Sequence, residues 1–280
     1  MKTANKIALA RSMYRVVHLG RALIGRSDQC IVNRGGATFD LELSQGIDFA
    51  IYLGDVFERG TKEALRRLVV PSSTVLDIGA NIGAHTLHLA QLVGPAGRVL
   101  AFEPTQFAFR KLRRNIDLNP ALAGRINAYH CFLGAQDGNT LPDAIYSSWP
   151  LMPEGELHEK HLGRAMATET ATTRSIDSVL AEAGNPVVKL VKLDVDGFEC
   201  EILRGATALL RDQRPIFVME IAPYVLVERG TSLEEMLSFL IPNGYRLYEE
   251  RTESALPSTA SELQKLIADG ESINVIARVN

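Results

Sequence analysis

Between Thr74 and Pro104 apolar and polar positions fall into blocks. Val75, Leu76 and Ile78 form a short apolar run that ends with Asp77 and Gly79 at its tip. Gly79-Ala-Asn-Ile-Gly83 follows. Apolar residues at Ile82, Leu87, Leu89 and Leu92 then continue until Gly94, Pro95 and Gly97 stop the pattern. Arg98 to Phe102 is a second apolar run, closed by Glu103 and Pro104. The order strand, tight turn, helix, turn, strand is a βαβ unit with an acid at the tip of its second strand.

The same reading extends along the chain. Residues 1 to about 26 predict a basic amphipathic helix in which Lys6, Arg11, Arg15, Arg21 and Arg26 interleave with Ile7, Leu9, Val16, Val17, Leu19, Leu23 and Ile24. Its apolar face is expected to pack on the body; contact with an anionic substrate or a lipid surface is the sharper reading. Gly25 to Gly36 reads as a loop. Thr38 to Leu43 and Ile47 to Leu53 read as two short strands joined by Ser44-Gln45-Gly46, and Thr61 to Val70 as a helix. Asp55, Glu58 and Arg59 read as a local polar network. A helix is expected over 106–118, with a solvated cluster of Arg110, Lys111, Arg113 and Arg114. Arg125 to Leu133 is the third core strand, with His130, read as structural, near its end.

Gly134 to Thr172 has no clear period. It holds Pro142, Trp149, Pro150, Pro153, His158 and His161, and so long an irregular stretch reads as an inserted lid or substrate loop. Beyond it, Thr173 to Leu180 predicts a helix capped by Ser175 or Thr173. Val187 to Leu193, Pro215 to Met219, Tyr245 to Tyr248 and Ser272 to Val279 predict strands four to seven. Helices are expected from Phe198 to Arg204, over Thr231 to Leu240, and near Ser261 to Ala268. Alternation of strands and helices argues for an α/β, doubly wound, mainly parallel sheet, which binds ligands beyond the carboxyl ends of its strands. Asp77, Glu103, Asp194, Asp196 and Glu220 all fall at such ends.

That convergence carries the candidate chemistry. The glycines let the backbone turn sharply and let a ligand lie against bare main chain. The helix N-terminus suits a carboxylate. Glu103 lies 20 residues beyond Gly83, where a carboxylate accepts ribose hydroxyls. The spacing is G-x-N-x-G rather than G-x-G-x-x-G, which favours S-adenosylmethionine over a dinucleotide. Cofactor binding is therefore expected from Asp77, Gly79, Asn81, Gly83, Glu103 and Pro104. Asp194 and Asp196, two apart on an extended segment, are expected to face one side, where one acts as a base or both share a divalent metal. Helix capping is the plainer role for such acids, and it is the one assigned to Glu199 and Glu201.

Composition narrows the classes. The 280 residues are 46 % hydrophobic and 22 % charged, enough for a sizeable core. A net charge of −3 gives no electrostatic case for nucleic acid or for broad membrane binding. Cys30, Cys131 and Cys200 are far apart and read as buried thiols of a reducing, cytoplasmic setting. No signal peptide and no transmembrane segment are expected.

The motifs are also specific. Val75-Leu-Asp-Ile-Gly-Ala-Asn-Ile-Gly83, Phe102-Glu-Pro104, and Val191 to Glu199 running on through Leu203-Arg-Gly-Ala206 resemble the FkbM family of S-adenosylmethionine-dependent methyltransferases over roughly residues 50 to 250. The selective part is K-x-D-x-x-G-x-E over Lys192 to Glu199. The resemblance implies a Rossmann-like, seven-stranded fold with an antiparallel last strand, and methyl transfer to a hydroxyl of a small molecule or glycan. Many members carry glutamate where this chain has Asp196. The expected organisation is an N-terminal helix with lead-in strands over 1–60 and a cofactor-binding domain over 61–280, with the insertion at 134–172. Asp194 is the first choice of base, with Asp196 and Glu220 supporting it. A nicotinamide oxidoreductase, a non-catalytic scaffold and an RNA methyltransferase are the competing classes, and a homo-oligomer is left open.

Overall fold

Seven strands form one sheet: β1 (Thr74–Ile78), β2 (Arg98–Phe102), β3 (Ile126–Tyr129), β4 (Val188–Leu193), β5 (Ile216–Ile221), β6 (Tyr245–Glu249) and β7 (Ile273–Val279). The computed structural model describes residues 3–54, 57–142, 144–147, 150–152, 163–168 and 170–280. The strand order is β6-β7-β5-β4-β1-β2-β3. β5-β4-β1-β2-β3 pair in parallel, and only β7 runs antiparallel to its neighbours. The central strands are apolar on both sides because both faces are covered, as parallel sheets require. One core packs Leu76, Leu100, Val191 and Phe217 beneath one layer, and another packs Val75, Val99, Leu190 and Val218 beneath the other.

The lead-in shares the second of these cores. A long helix, α1 (Thr3–Leu23), precedes a hairpin of Gln29–Arg34 and Ala37–Glu42, then come α2 (Gly46–Tyr52) and α3 (Arg59–Leu68). Phe39, Leu41, Phe49 and Ile51 pack with Leu87, Leu89 and Val99. Two asparagines bind the hairpin to the end of the helix Gln106–Asp117 that follows β2. Asp40 N–H donates to Asn115 Oδ1 at 2.8 Å, and Thr38 N–H to Asn119 Oδ1 at 2.9 Å.

Two expectations fail here. Gln29–Arg34, expected as loop, is a strand, and Ile47 to Leu53, expected as a strand, is α2. The reason is partner supply. One edge of Ala37–Glu42 is taken by Gln29–Arg34 and, on the other, the Thr38 and Asp40 N–H groups are taken by Asn119 and Asn115, so the next apolar segment has no free ladder to join and satisfies its backbone internally. Asp48 fixes α2 from inside: it is buried, accepts the Glu42 N–H at 2.6 Å and pairs with Lys111. The third strand is also shorter than Arg125 to Leu133. Cys131–Leu133 leaves the sheet to pair with Thr172–Arg174.

Part of the irregular segment is ordered as a hairpin, Ala144–Ser147 with Arg164–Ala167. Asp55, Trp149, Pro153, His158 and His161 lie outside the described residues. His130 takes the structural role expected of it: Nε2 lies 3.1 Å from Pro104 O, and the ring stacks on Phe109.

Candidate active site

The carboxyl ends of β1, β2, β4 and β5 open into a cavity of about 260 Å³, near the lower end of the roughly 300–1,000 Å³ of small-ligand pockets. Gly79, Asn81, Glu103, Pro104, Asp194, Asp196 and Glu220 all line it. Asp77 and Gly83 do not.

On the β1–β2 side, Gly79 N–H and Ala80 N–H donate to Phe102 O at 3.1 and 2.9 Å, bending the chain sharply. Asn81, at φ 48°, turns its own N–H onto Glu103 Oε2 at 2.9 Å. Glu103 Oε1 accepts the Thr105 N–H at 2.8 Å and the Thr105 hydroxyl at 2.5 Å. Burial raises the Glu103 carboxyl in spite of these donors. A carboxylate has about four acceptor positions. Three are filled, so Glu103 has room for one incoming hydroxyl rather than the two expected from sequence.

The glycines serve packing more than ligand approach. A Cβ on Gly79 would stand 1.9 Å from the Asp194 carbonyl oxygen, and Gly79 sits at φ 79°. Turn and second motif therefore touch through bare backbone. Gly83, at φ 92°, caps helix α4 (Ala84–Val93), and its missing side chain makes room for Leu112.

Asp77 acts from behind the cavity wall. It is fully buried and accepts the Thr86 hydroxyl at 2.6 Å. Parallel pairing sets it beside Lys192, whose Nζ lies 3.9 Å from its otherwise unpartnered Oδ1. Lys192, absent from the sequence-derived site, lines the cavity and is the cation of this wall. It donates to Gly79 O at 3.2 Å and pairs with Asp194 at 3.2 Å. Burial alone would lower its pKa, but Asp194, Asp77 and Glu58 outweigh that and hold it above the ordinary lysine value. Its signal was the lysine that opens K-x-D-x-x-G-x-E.

The strand ends at Leu193, so Asp194 and Asp196 do not lie on an extended segment as expected. Residues 194–197 turn, with Asp196 at φ 49° and Gly197 at φ 95°. The turn, not strand alternation, brings both acids to the cavity. A side chain at Gly197 would strike Val225. Glu220 is held by the Ser272 hydroxyl at 2.5 Å. Burial, reinforced by Asp194, pushes Asp196 and Glu220 each up to about 8; burial carries Glu199 to about 7. Glu199 accepts the Gly197 N–H at 3.3 Å, a local bond at the start of its helix, which has no side-chain cap.

A further pair completes the wall. His85 Nε2 meets Glu58 Oε2 at 2.6 Å, and both line the cavity. Their separation of 27 positions hid this contact from sequence reasoning. Burial alone would raise Glu58, but the His85 bond, His85 charge and Lys192 hold it below its usual value. Among the described residues, no group of three or more His, Cys, Asp and Glu side chains is arranged for a metal ion.

This strand order, with a lone antiparallel strand and acids at the carboxyl rim, is the Rossmann-like fold of class I methyltransferases. The chain belongs to the FkbM methyltransferase family: the model of the methyltransferase FkbM domain matches residues 77–247, more than half of it. Relatives are more distant. Methyltransferase sdnD of Sordaria araneosa is 33 % identical over 47 % of this chain and 59 % of its own length. Hexuronic acid methyltransferase AglP of Haloferax volcanii is 28 % identical over 57 % of this chain and 62 % of its own length. 2-O-methyltransferase NoeI of Sinorhizobium fredii is 25 % identical over 64 % and 75 % respectively. The chain thus spans about three-fifths of the length of the first two.

Proposed function

We propose that this protein is an S-adenosylmethionine-dependent O-methyltransferase acting on a hydroxyl of a small molecule or glycan. The observation that carries the reading is the convergence on one cavity of two unlike walls: Glu103 pinned by Asn81 and Thr105, and Asp194 held by Lys192 beside Asp196 and Glu220. The family supports methyl transfer. The names of AglP and NoeI, a hexuronic acid methyltransferase and a 2-O-methyltransferase, support a sugar hydroxyl.

The residues suit the cofactor. Glu103 retains one acceptor position, the Gly79–Asn81 backbone borders the cavity, and the acids lining it attract a sulfonium cation once they ionise. When bound, S-adenosylmethionine supplies an activated methyl group. Glu103 and the Gly79–Asn81 bend hold and orient it. Asp194 takes the acceptor hydroxyl's proton, and the apolar wall of Phe132, Leu133 and Ile145 keeps water from the reacting oxygen. Ile145 belongs to the 134–172 segment, which we assign to the acceptor side. Residues 61–280 then form the catalytic unit and 1–60 its covering lead-in.

The test is incubation with methyl-labelled S-adenosylmethionine and panels of hydroxylated metabolites and glycans, read by mass spectrometry. Label on a hydroxyl oxygen is expected. Calorimetric binding of a nicotinamide cofactor, with none of S-adenosylmethionine, overturns the proposal. Glu103→Ala weakens cofactor affinity by about 1–3 kcal/mol, the scale of hydrogen bonds to a charged group. Unchanged calorimetric affinity removes Glu103 from the site.

The raised acids make two pH predictions of known sign. Asp196 and Glu220 titrate near 8 in the folded chain but from 3.8 and 4.5 without it. Between those values the unfolded chain is ionised and the folded one is not. Stability therefore falls as pH rises from about 4 to about 8, then levels off. Urea midpoints across that range check this, and Asp196→Asn flattens the slope. Methyl transfer follows the opposite course, rising toward about pH 8 as the cluster ionises; a flat profile would separate these acids from the chemistry.

A further inference from the structure

Helix α1 is apolar on two sides, and only one is used. Ala10, Tyr14 and Val17 face the body. Tyr14 packs edge-on against Phe49, its rings' centroids 5.8 Å apart, and donates to Asp28 at 2.5 Å. Arg21 bonds Ser27 O from the same side. With that side committed, Leu9, Met13, Val16, Leu19 and Leu23 turn outward, and Ile24 continues them; they are 40–79 % exposed. Of the apolar residues expected to pack on the body, Val17 does so, whereas Leu9, Val16, Leu19, Leu23 and Ile24 are exposed. Leu9, Met13, Val16 and Leu23 recur at helical spacing on one stripe.

Charge is segregated onto the same segment. The first 27 residues hold Lys2, Lys6, Arg11, Arg15, Arg21 and Arg26 and no acid, leaving 24 Lys and Arg against all 33 Asp and Glu in the rest. We propose that α1 lies on an anionic lipid surface, its stripe sunk among acyl chains and the exposed Arg15 and Arg26 against the headgroups, so that the catalytic body works at a membrane. A helix with an outward apolar stripe, whose Lys and Arg are accompanied by no acid, has the composition of an interfacial helix. No helix among the described residues is long and apolar enough to cross a membrane, so the contact is along the surface. A second copy of the chain is the weaker occupant. Two such helices would bring cations together with no acid on either to pair with them, and Gly20 leaves a gap in the stripe.

The test is sedimentation of the full chain with vesicles of phosphatidylcholine containing about a third phosphatidylglycerol, with pure phosphatidylcholine alongside. Binding to the anionic vesicles is expected to be at least about tenfold tighter, and to weaken in about 1 M salt, where the screening length is about 3 Å. Val16→Glu with Leu23→Glu is expected to reduce it about tenfold. Both side chains are exposed, so the urea midpoint and cofactor affinity stay as they were. Equal binding to neutral vesicles, no binding to either, or no response to the double substitution overturns the proposal. So does a dimer, seen by light scattering without lipid, that the double substitution dissociates.

Discussion

Asp194→Asn lowers turnover by about 10²–10⁴-fold, the usual contribution of a positioned base. Asparagine keeps the shape of the side chain and can still accept from Lys192 Nζ, now 3.2 Å away, but it cannot take a proton. Lys192 keeps Gly79 O and Asp77 as partners, so the wall stays in place. The loss is expected in kcat, with S-adenosylmethionine affinity changed by no more than about threefold, because Glu103 and the Gly79 bend are untouched. Single-turnover assays with labelled cofactor separate the two. Turnover within about threefold of the parent, with an unchanged unfolding midpoint, would move the proton acceptor to Asp196 or Glu220, which the same assay on Asp196→Asn and Glu220→Gln would then identify.

Gly79→Ala destabilises the fold by about 3 kcal/mol or more. Two penalties act at one atom. The left-handed φ of 79° costs a β-carbon about 1–2 kcal/mol by itself. The new carbon would also stand 1.9 Å from the Asp194 carbonyl, which belongs to backbone and cannot rotate away. Relief requires β1 and β4 to part at their carboxyl ends, which displaces Asp194 and disturbs Lys192. Stability and turnover should therefore fall together. Gly138→Ala is the control: its φ is 76°, but nothing lies within 4 Å of the added carbon, so only the conformational cost of about 1–2 kcal/mol applies. Urea unfolding compares them. Equal losses in the two variants would mean that the close approach carries no energy.

The sheet was legible from the chain because parallel strands buried on both faces read as mostly apolar runs; Thr74–Ile78, Arg98–Phe102 and Val188–Leu193 do so, and each is followed by a glycine or an acid. Helix periodicity over 106–118 was equally plain; of the two caps expected, Thr173 and Ser175, it is Ser175 that accepts the Ser178 N–H, because Thr172–Arg174 is a strand. Ile47 to Leu53 was misread because a short apolar run has no period of its own to decide between helix and strand; the neighbour already seated on Ala37–Glu42 decides it. The same limit applies to α1. Its apolar positions are visible in sequence, but which of them meet the body depends on where Phe49 and Asp28 lie.

What the sequence determined by itself was the order of strands and helices, the glycine bend, and the placing of acids at strand tips, because these follow from local periodicity and backbone sterics. Only the tertiary structure decided which acid does what. Asp77 and Glu103 look alike along the chain, yet one is sealed against Thr86 and Lys192 while the other opens on the cavity. Glu58 finds His85 across 27 residues, and Asp196 and Glu220 gain their raised pKa values from burial and from Asp194. A side chain's exposure, its partner and the cost of its charge are set by whatever packs against it, and those neighbours come from distant parts of the chain.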